Sequence, residues 1–348
     1  MSTHSKYIFR CLQLAERAQG KTTPNPMVGS IIVCEGKIIG EGYHQFYGGA
    51  HAEVNAVAAV ANRELLSKST LYVSLEPCSH YGKTPPCTDL IIENHIPKVV
   101  VGILDPNPKV NGKGIEKLRN AGIEVIVGIE EEACRKLNRR FLTRIEKQRP
   151  YIILKWAQTA DGFIDFERQN TDTEPLKISN GITKTLNHQL RTQEAAILVG
   201  TKTAFLDNPR LTVTKWTGKS PVRMFIDKNL VIPHSYNLFD NTIKTVIFNN
   251  RKGKFETQSH NIEFVKLDFL QNIIPQILDY LQKNKLESVI VEGGKQLLQS
   301  FIDQNLFDEV NIETSPQKIS NGVQAPNFPK IKPCKTVFYG ENRMDYFY

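Results

Sequence analysis

The sequence lacks any apolar run long enough to span a bilayer. Its first residues, MSTHSKYIFRCLQLAERAQG, lack the unbroken apolar stretch and small-residue cleavage site of a signal peptide. They read instead as an amphipathic helix. The expectation is a cytoplasmic protein with no membrane partner. No internal period of repeat length is present, which excludes solenoids and propellers. Cysteine is scarce, with six in 348 residues. In a chain without a secretion signal this argues against a disulfide framework. Cys11, Cys34, Cys134 and Cys334 stand alone in apolar or helical surroundings and are expected to be small buried hydrophobes. Long blocks of one charge are also missing. The formal net charge is +8, yet the basic residues are scattered. The densest run, RKLNRRFLTRIEKQR from Arg135 to Arg149, reads as the solvated face of a helix entering a linker. Charge alone selects no nucleic-acid partner, and none is expected.

What is present suits a soluble globular protein: 40% hydrophobic and 23% charged residues in a chain long enough for two cores. The first half alternates helix and strand. Lys6 to Gln19 has helical periodicity. MVGSIIVCEGKIIGEGYH reads as a hairpin turning at Glu35-Gly36-Lys37. HAEVNAVAAVAN reads as a helix, STLYVSLEPC as a strand ending at proline, and Pro86 suits the first turn of a helix in PCTDLIIENH. PKVVVGILDP and IEVIVGI are strands either side of a helix that Gly122 ends. This rhythm predicts an α/β fold with parallel strands flanked by helices. A charged stretch meets Pro150 and a strongly apolar strand in EKQRPYIILKWAQT, which predicts domains at 1–146 and 147–348. The second half has strands at AAILVG, VRMFID, KTVIFN, ESVIVEGG and DEVNIET, with helices between several of them.

Two stretches carry chemistry. HAEVNAV begins at His51, and EPCSHYGKTPPCTDL runs from Glu76 to Leu90. A catalytic zinc takes three protein ligands and keeps one position open. His51, Cys78 and Cys87 supply an imidazole and two thiolates, and water in the open position would have its pKa lowered toward ~7. Glu53 is the base that takes and returns the proton. Residues at i and i+2 diverge along a helix side. His51 and Glu53 therefore converge only on a metal lying off the helix end, at its first turn. Cys87 at a helix start favours the thiolate. A closed zinc knuckle stays open as an alternative, with His80 or His44 as fourth ligand. The zinc deaminase signature is HxE followed by PCxxC. Here the second cysteine comes nine residues after the first, with Tyr81 where the plain pattern puts it. The other stretch is SVIVEGGKQLLQSFI, a strand, a Gly pair and an amphipathic helix. Its backbone amides suit a phosphate or pyrophosphate. It is not a GxGxxG fingerprint, and purely structural turns share the pattern.

TPNPMVG, GYHQFYGGAHAE, EPCSHYGKTPPCTDLI and DPNPKVNGKG resemble the bifunctional riboflavin biosynthesis deaminase–reductase family, whose own signature has the long insertion between the cysteines. LKWAQTADG, LVGTKTAFLDNPRLT and VEGGKQLL resemble its reductase half. The resemblance covers essentially the whole chain. It implies a cytidine-deaminase-like domain followed by a dihydrofolate-reductase-like domain. The first, with zinc on His51, Cys78 and Cys87 and Glu53 as proton carrier, removes the 2-amino group of a diaminopyrimidinone bearing a phosphoribosylamino arm. Asn25, His44, His80 and Lys83 are implied to line that pocket, with His80 and Lys83 suited to the ribose phosphate. The second uses NADPH to reduce the ribosyl group to ribityl. Lys155, Arg191, Leu211 and Glu292 match substrate positions, and Ala157, Thr203, Asp207, Gly293, Gly294 and Lys295 match cofactor positions. Asp161 matches the first reductase motif. A small phosphorylated pyrimidine is the implied partner, and a homodimer through the reductase domains the family-based expectation.

Two positions depart from the pattern. Thr214 stands where the family carries an arginine, and Lys177 where members often carry an aromatic. Other readings stay open beside the leading one: an active deaminase with an impaired reductase, a tRNA or nucleoside deaminase fused to another module, and a nucleotide-sensing protein with degenerate sites.

Overall fold

The computed structural model describes residues 2–81, 85–107, 110–251 and 260–348. The chain divides into two compact units, Met1–Gln148 and Arg149–Tyr348.

In the first unit the order is α1 (Thr3–Glu16), β1 (Gly29–Cys34), β2 (Lys37–Tyr43), α2 (Ala52–Ala58), β3 (Ser69–Leu75), α3 (Cys87–Glu93), β4 (Lys98–Ile103), α4 (Lys113–Asn120), β5 (Glu124–Val127), α5 (Glu131–Leu137) and α6 (Arg139–Glu146). The five-stranded sheet runs β2-β1-β3-β4-β5. β1 is antiparallel to both β2 and β3, while β3, β4 and β5 are parallel. Side chains alternate across the sheet. Ile31 and Val33 join a core with α1 and α5, and Ile32 joins a second core with α2, α3 and α4. The hairpin turn uses left-handed backbone at Glu35 and Gly36, as a tight two-residue connection requires. Gly40 and Gly42 on β2 let α2 rest directly on the strand. A Cβ at Gly42 would lie 2.3 Å from the Ala56 nitrogen and 2.5 Å from the Ala52 oxygen. This contact fixes the height of the first turn of α2.

In the second unit the order is β6 (Tyr151–Gln158), β7 (Phe163–Asp165), α7 (Gly181–Gln193), β8 (Ala196–Val199), α8 (Thr201–Asp207), β9 (Val222–Ile226), β10 (Thr245–Asn249), β11 (Ile262–Lys266), α9 (Ile273–Lys283), β12 (Ser288–Val291), α10 (Lys295–Asp303), β13 (Glu309–Thr314), β14 (Val323–Gln324), β15 (Lys335–Tyr339) and β16 (Asn342–Phe347). A nine-stranded sheet runs β11-β10-β9-β8-β12-β6-β13-β16-β15, and β7 pairs with β14. The strands from β11 to β13 in that order are parallel; β16 and β15 close the edge antiparallel. Leu154, Leu198 and Val291 pack under α9 and α10, and Ile197, Val199, Phe225 and Ile290 form the opposite core. β11 and β15 have no clear apolar signature, because both are edge strands with partly or largely exposed faces.

All six cysteines are free. Cys11, Cys34 and Cys134 are buried as expected, but Cys334 is exposed. It immediately precedes the edge strand β15 and donates its backbone N–H to Tyr346, so no second layer covers it. The basic run around Arg135 is also less solvated than expected. It forms α5 and α6, with Arg140, Phe141 and Leu142 buried. Among the described residues no helix is long and apolar enough to cross a membrane.

Candidate active sites

The first site lies at the starts of α2 and α3 and the end of β3. His51 is the N-cap residue of α2, with extended backbone (φ −71°, ψ 161°), and Glu53 sits in the helix's first turn. The cap position turns the imidazole off the helix end, which lets residues two apart face one centre. Cys78 follows β3, and Cys87 opens α3 behind Pro86. His51 Nδ1 is 3.3 Å from Cys87 Sγ and 3.6 Å from Cys78 Sγ, and all three ligand atoms lie within 4.8 Å of one another. Zn–N and Zn–S bonds in a tetrahedron place N and S about 3.6 Å apart. The donor set and its spacing therefore fit zinc. Neither His44 nor His80 belongs to this cluster among the described residues, so the closed four-ligand knuckle is not formed.

The electrostatics favour a thiolate at Cys78, whereas the hydrogen bond with Cys78 and burial push the Cys87 thiol up, against the thiolate expected at that helix start. Hydrogen bonds from Cys87 and His51 hold the Cys78 thiol far down, at about 4, and the Cys87 N–H reaches Cys78 Sγ at 3.3 Å. Glu53 is buried, and this burial together with Cys78 pushes its carboxyl up to about 7. A carboxyl poised there can hold or release a proton near neutrality. His44 is buried beside them. Its Nδ1 faces the Ala50 carbonyl at 3.0 Å, so Nδ1 carries the proton. Nε2 is then an acceptor for the Asn25 amide 3.3 Å away. Burial holds this imidazole below its ordinary value and keeps it neutral. His80 is exposed and is not part of the metal-ligand cluster. Lys83 lies outside the described residues.

A residue that motif reading passed over organises this pocket. Glu76 is buried, and its two carboxylate oxygens accept the backbone N–H groups of Asp105, Gly112, Gly114 and Ile115. It thereby ties the loop after β4 to the strand end that carries Cys78. Asp105, in that loop, is pushed up to about 6 by burial. The signal was a charged residue directly after an apolar strand, which sequence alone does not separate from an ordinary strand-end carboxylate.

The second unit holds a cavity of about 1240 Å³. Lys155, Ala157, Thr203, Asp207, Glu292, Gly293, Gly294 and Lys295 all line it. Lys155 is 9% exposed on β6. Glu292 follows β12 and accepts Arg191 Nη2 at 2.7 Å through one oxygen, while its other oxygen is buried without a partner. Burial works to raise the Glu292 carboxyl, but Arg191 and Lys155 outweigh it and hold the group below its ordinary value. The turn before α10 has Gly294 at φ +56°, and no side chain caps the helix. A Cβ on Gly293 would come within 3.2 Å of the Thr203 hydroxyl. The turn is thus a cradle of open amides that only glycine leaves free, and it fits a phosphate-bearing cofactor. Arg210 and Lys215 stand on the connection after α8.

Two positions differ from a simple contact role. The Leu211 side chain is buried in the core against Ile197, Phe225 and their neighbours and does not line the cavity. Its backbone is left-handed at φ +53°, unusual for leucine. Fully buried Arg223 holds this loop by donating to the carbonyls of Arg210 and Asn237. The Asp207 carboxylate is paired with buried Arg168, which also binds Asp165 at 2.6 Å. Burial still leaves Asp207 above its ordinary value. Asp161 accepts the N–H groups of Ile319 and Ser320 and so pins a loop. Lys177 pairs with Glu174 at the exposed edge of the cavity.

Known proteins share both arrangements. Residues 1–103 match the cytidine and deoxycytidylate deaminase zinc-binding region, and residues 150–321 match the RibD C-terminal domain. The riboflavin biosynthesis protein RibD of Aquifex aeolicus is 42% identical over 320 residues, covering 91% of this chain and 88% of its own. The chain belongs to the RibD family. RibD of Synechocystis is 39% identical over 94% of this chain and 88% of its own. The crystal structure of a Thermotoga maritima diaminohydroxyphosphoribosylaminopyrimidine deaminase/5-amino-6-(5-phosphoribosylamino)uracil reductase has a TM-score of 0.88 and 34% identity, covering 99% of this chain and 98% of that one. This RibD-family chain is therefore a bifunctional riboflavin biosynthesis enzyme, with a zinc-dependent deaminase domain and an NADPH-dependent reductase domain. Neither a tRNA deaminase fusion nor a nucleotide sensor finds support in these matches.

Proposed function

We propose a division of labour among the residues of the two domains, 1–146 and 147–348. The first domain deaminates the diaminopyrimidinone with a phosphoribosylamino arm, and the second reduces the ribosyl group of the resulting aminouracil to ribityl. The observation that carries the reading is buried Glu53 beside the His51, Cys78 and Cys87 cluster. The Thermotoga maritima relative is named for both a deaminase and a reductase.

His51 Nδ1 and the sulfurs of Cys78 and Cys87 would hold the metal. When bound, zinc supplies an acidified water near neutral pH. Glu53, as the carboxylate, takes one proton from the attacking water and delivers it to the ring nitrogen, then takes the second from the added hydroxyl and delivers it to the departing amino group, which leaves as ammonia. The carboxyl is regenerated, so protons balance over the cycle. Neutral His44 and Asn25 fix one wall, and His80 and Lys83 receive the ribose phosphate.

In the second domain, NADPH when bound supplies the hydride. Ala157, Thr203, Asp207, Gly293, Gly294 and Lys295 bind and orient it, the Gly-Gly turn taking its phosphates. Lys155 and the unpaired oxygen of Glu292 orient the sugar, one as donor and one as acceptor. Arg191 keeps Glu292 ionised. Leu211 shapes the substrate end through its backbone. The enzyme works on this small phosphorylated substrate in the cytoplasm as a homodimer, without a nucleic-acid or membrane partner.

The test is Glu53→Ala. Zinc stays at about one per chain, while ammonia release falls by about 10³-fold. NADPH oxidation with the deaminated intermediate persists. Ammonia release at the wild-type rate would remove Glu53 as the proton carrier.

A further inference from the structure

The connection between β7 and α7 walls part of the reductase cavity, with Phe166, Arg168, Pro175 and Leu176 among its lining residues. From Phe166 to Lys177 the only buried residue is Arg168. A segment with so little apolar burial needs another anchor to hold its shape. The Arg168 guanidinium supplies it. Nε and Nη2 donate to Asp165 Oδ2 at 2.8 and 2.6 Å, and Nη1 donates to the Leu206 carbonyl at 3.2 Å. Nη2 also donates to Asp207 Oδ1. Asp165 Oδ1 in turn accepts the Leu176 N–H at 2.9 Å. One side chain thus joins the connection to the last turn of α8, where Leu206 and Asp207 sit. Three of the four carboxylate oxygens in this cluster are engaged. Among the described residues Asp207 Oδ2 has no protein donor, and Asp207 lines the cavity.

We propose that Arg168 is a positioning residue for the reductase cofactor: it holds one oxygen of Asp207 and so presents the other to the dinucleotide as a fixed acceptor. The assignment rests on reading Asp207 as a cofactor contact. A carboxylate at a helix end turns about its own side-chain bonds, and an acceptor that turns is a poor guide for a ligand. A guanidinium removes that freedom, because its planar fork sets the angle as well as the distance of the carboxylate it binds. Asp165 and the Leu206 carbonyl fix the fork itself, so the constraint passes from the β7 end through Arg168 to Asp207. The electrostatics agree. Burial pushes the Asp207 carboxyl above its ordinary value, and Arg168 opposes the rise. A lysine at 168 would keep the charge but could not hold Asp165, Asp207 and the carbonyl in one plane.

The experiment is a double-mutant cycle on the full-length zinc-loaded enzyme, supplied with the deaminated phosphoribosylamino intermediate and NADPH. The variants are Arg168→Met, Asp207→Ala, the pair together, and Arg168→Lys. Arg168→Met is expected to raise KM for NADPH about 10-fold. KM for the intermediate should stay within about twofold, and kcat at saturating NADPH should fall less than KM rises. Arg168→Lys should raise the NADPH KM by a smaller factor. Asp207→Ala should raise it too, and adding Arg168→Met to Asp207→Ala should then change it less than about twofold, because the partner through which Arg168 acts is gone. Titration of NADPH fluorescence gives the same comparison for any variant too slow to assay, and Arg168→Lys, which keeps the buried charge, serves if methionine prevents folding. The proposal fails if Arg168→Met exerts its full factor in the Asp207→Ala background, or if it lowers kcat and raises both KM values alike, since Arg168 then only supports the fold. It fails equally if neither Arg168 variant changes the NADPH KM while Asp207→Ala does. An Asp207→Ala enzyme with the wild-type NADPH KM overturns the reading of Asp207 as a cofactor contact, and the role of Arg168 with it.

Discussion

The deaminase pocket and the reductase cavity solve opposite problems. The first gathers three ligand atoms within 4.8 Å around a buried carboxyl, and side chains do nearly all the work. The second opens about 1240 Å³ and lines it with a glycine turn and paired charges. A metal needs particular donor atoms at particular distances. A large cofactor that brings its own reactive group needs shape, open amides and balanced charge. Damage to the first site should therefore be concentrated in a few side chains, and damage to the second spread over many.

The comparison breaks most visibly at Glu76. In Glu76→Ala, the N–H groups of Asp105, Gly112, Gly114 and Ile115, three of them in buried hydrogen bonds, lose their acceptor, at a cost of about 3 kcal/mol to the fold. Thermal unfolding should show the lower stability, and ammonia release should drop at least about 10-fold, with NADPH oxidation retained. Equal loss of both activities would mean that this loop serves more than the first site.

Arg191 sharpens the second half of the comparison. The Glu292 carboxyl is held below its ordinary value by Arg191 and Lys155, so it stays ionised as pH falls toward 4.5, its unperturbed value. The stability that its charge provides is present above that value and is lost as pH falls through the lowered one. Wild-type reductase activity should therefore show no acid limb from Glu292 between about pH 5 and 8. In Arg191→Met, burial is less opposed and the carboxyl rises. An acid limb should then enter that range in a pH profile of kcat/KM, and an unchanged profile would count against this ion pair as the controlling contact.

The smallest effect is expected at Arg10→Ala. The Arg10–Glu41 pair is one-third exposed on each side and far from the metal ligands in sequence. Its loss should cost under about 1 kcal/mol in denaturant unfolding and leave both activities within about twofold. A larger loss of ammonia release would show that the β2 edge transmits strain to α2.

Legibility in the sequence follows the same divide. His51, Glu53, Cys78 and Cys87 are few and chemically specific, and nothing ordinary explains two cysteines around a proline-rich loop. The apolar central strands were readable from period and length. The edge strands β11 and β15 were not, because exposure erases the apolar pattern. Glu76, Arg168 and Arg223 were also hidden. Each binds groups far away in sequence, and a buried ion and an exposed one look alike in a string of letters. Cys334 shows the converse, since an isolated cysteine near apolar residues was still left at an uncovered edge.

Metal removal tests the central claim most directly. Ammonia release and NADPH oxidation with the deaminated intermediate would be measured on one sample before and after chelation, and again after zinc is restored. Chelation should abolish ammonia release, zinc should restore it, and NADPH oxidation should continue throughout. Ammonia release that survives complete zinc removal, or NADPH oxidation that falls with it, would contradict the assignment of one metal-dependent and one metal-independent site.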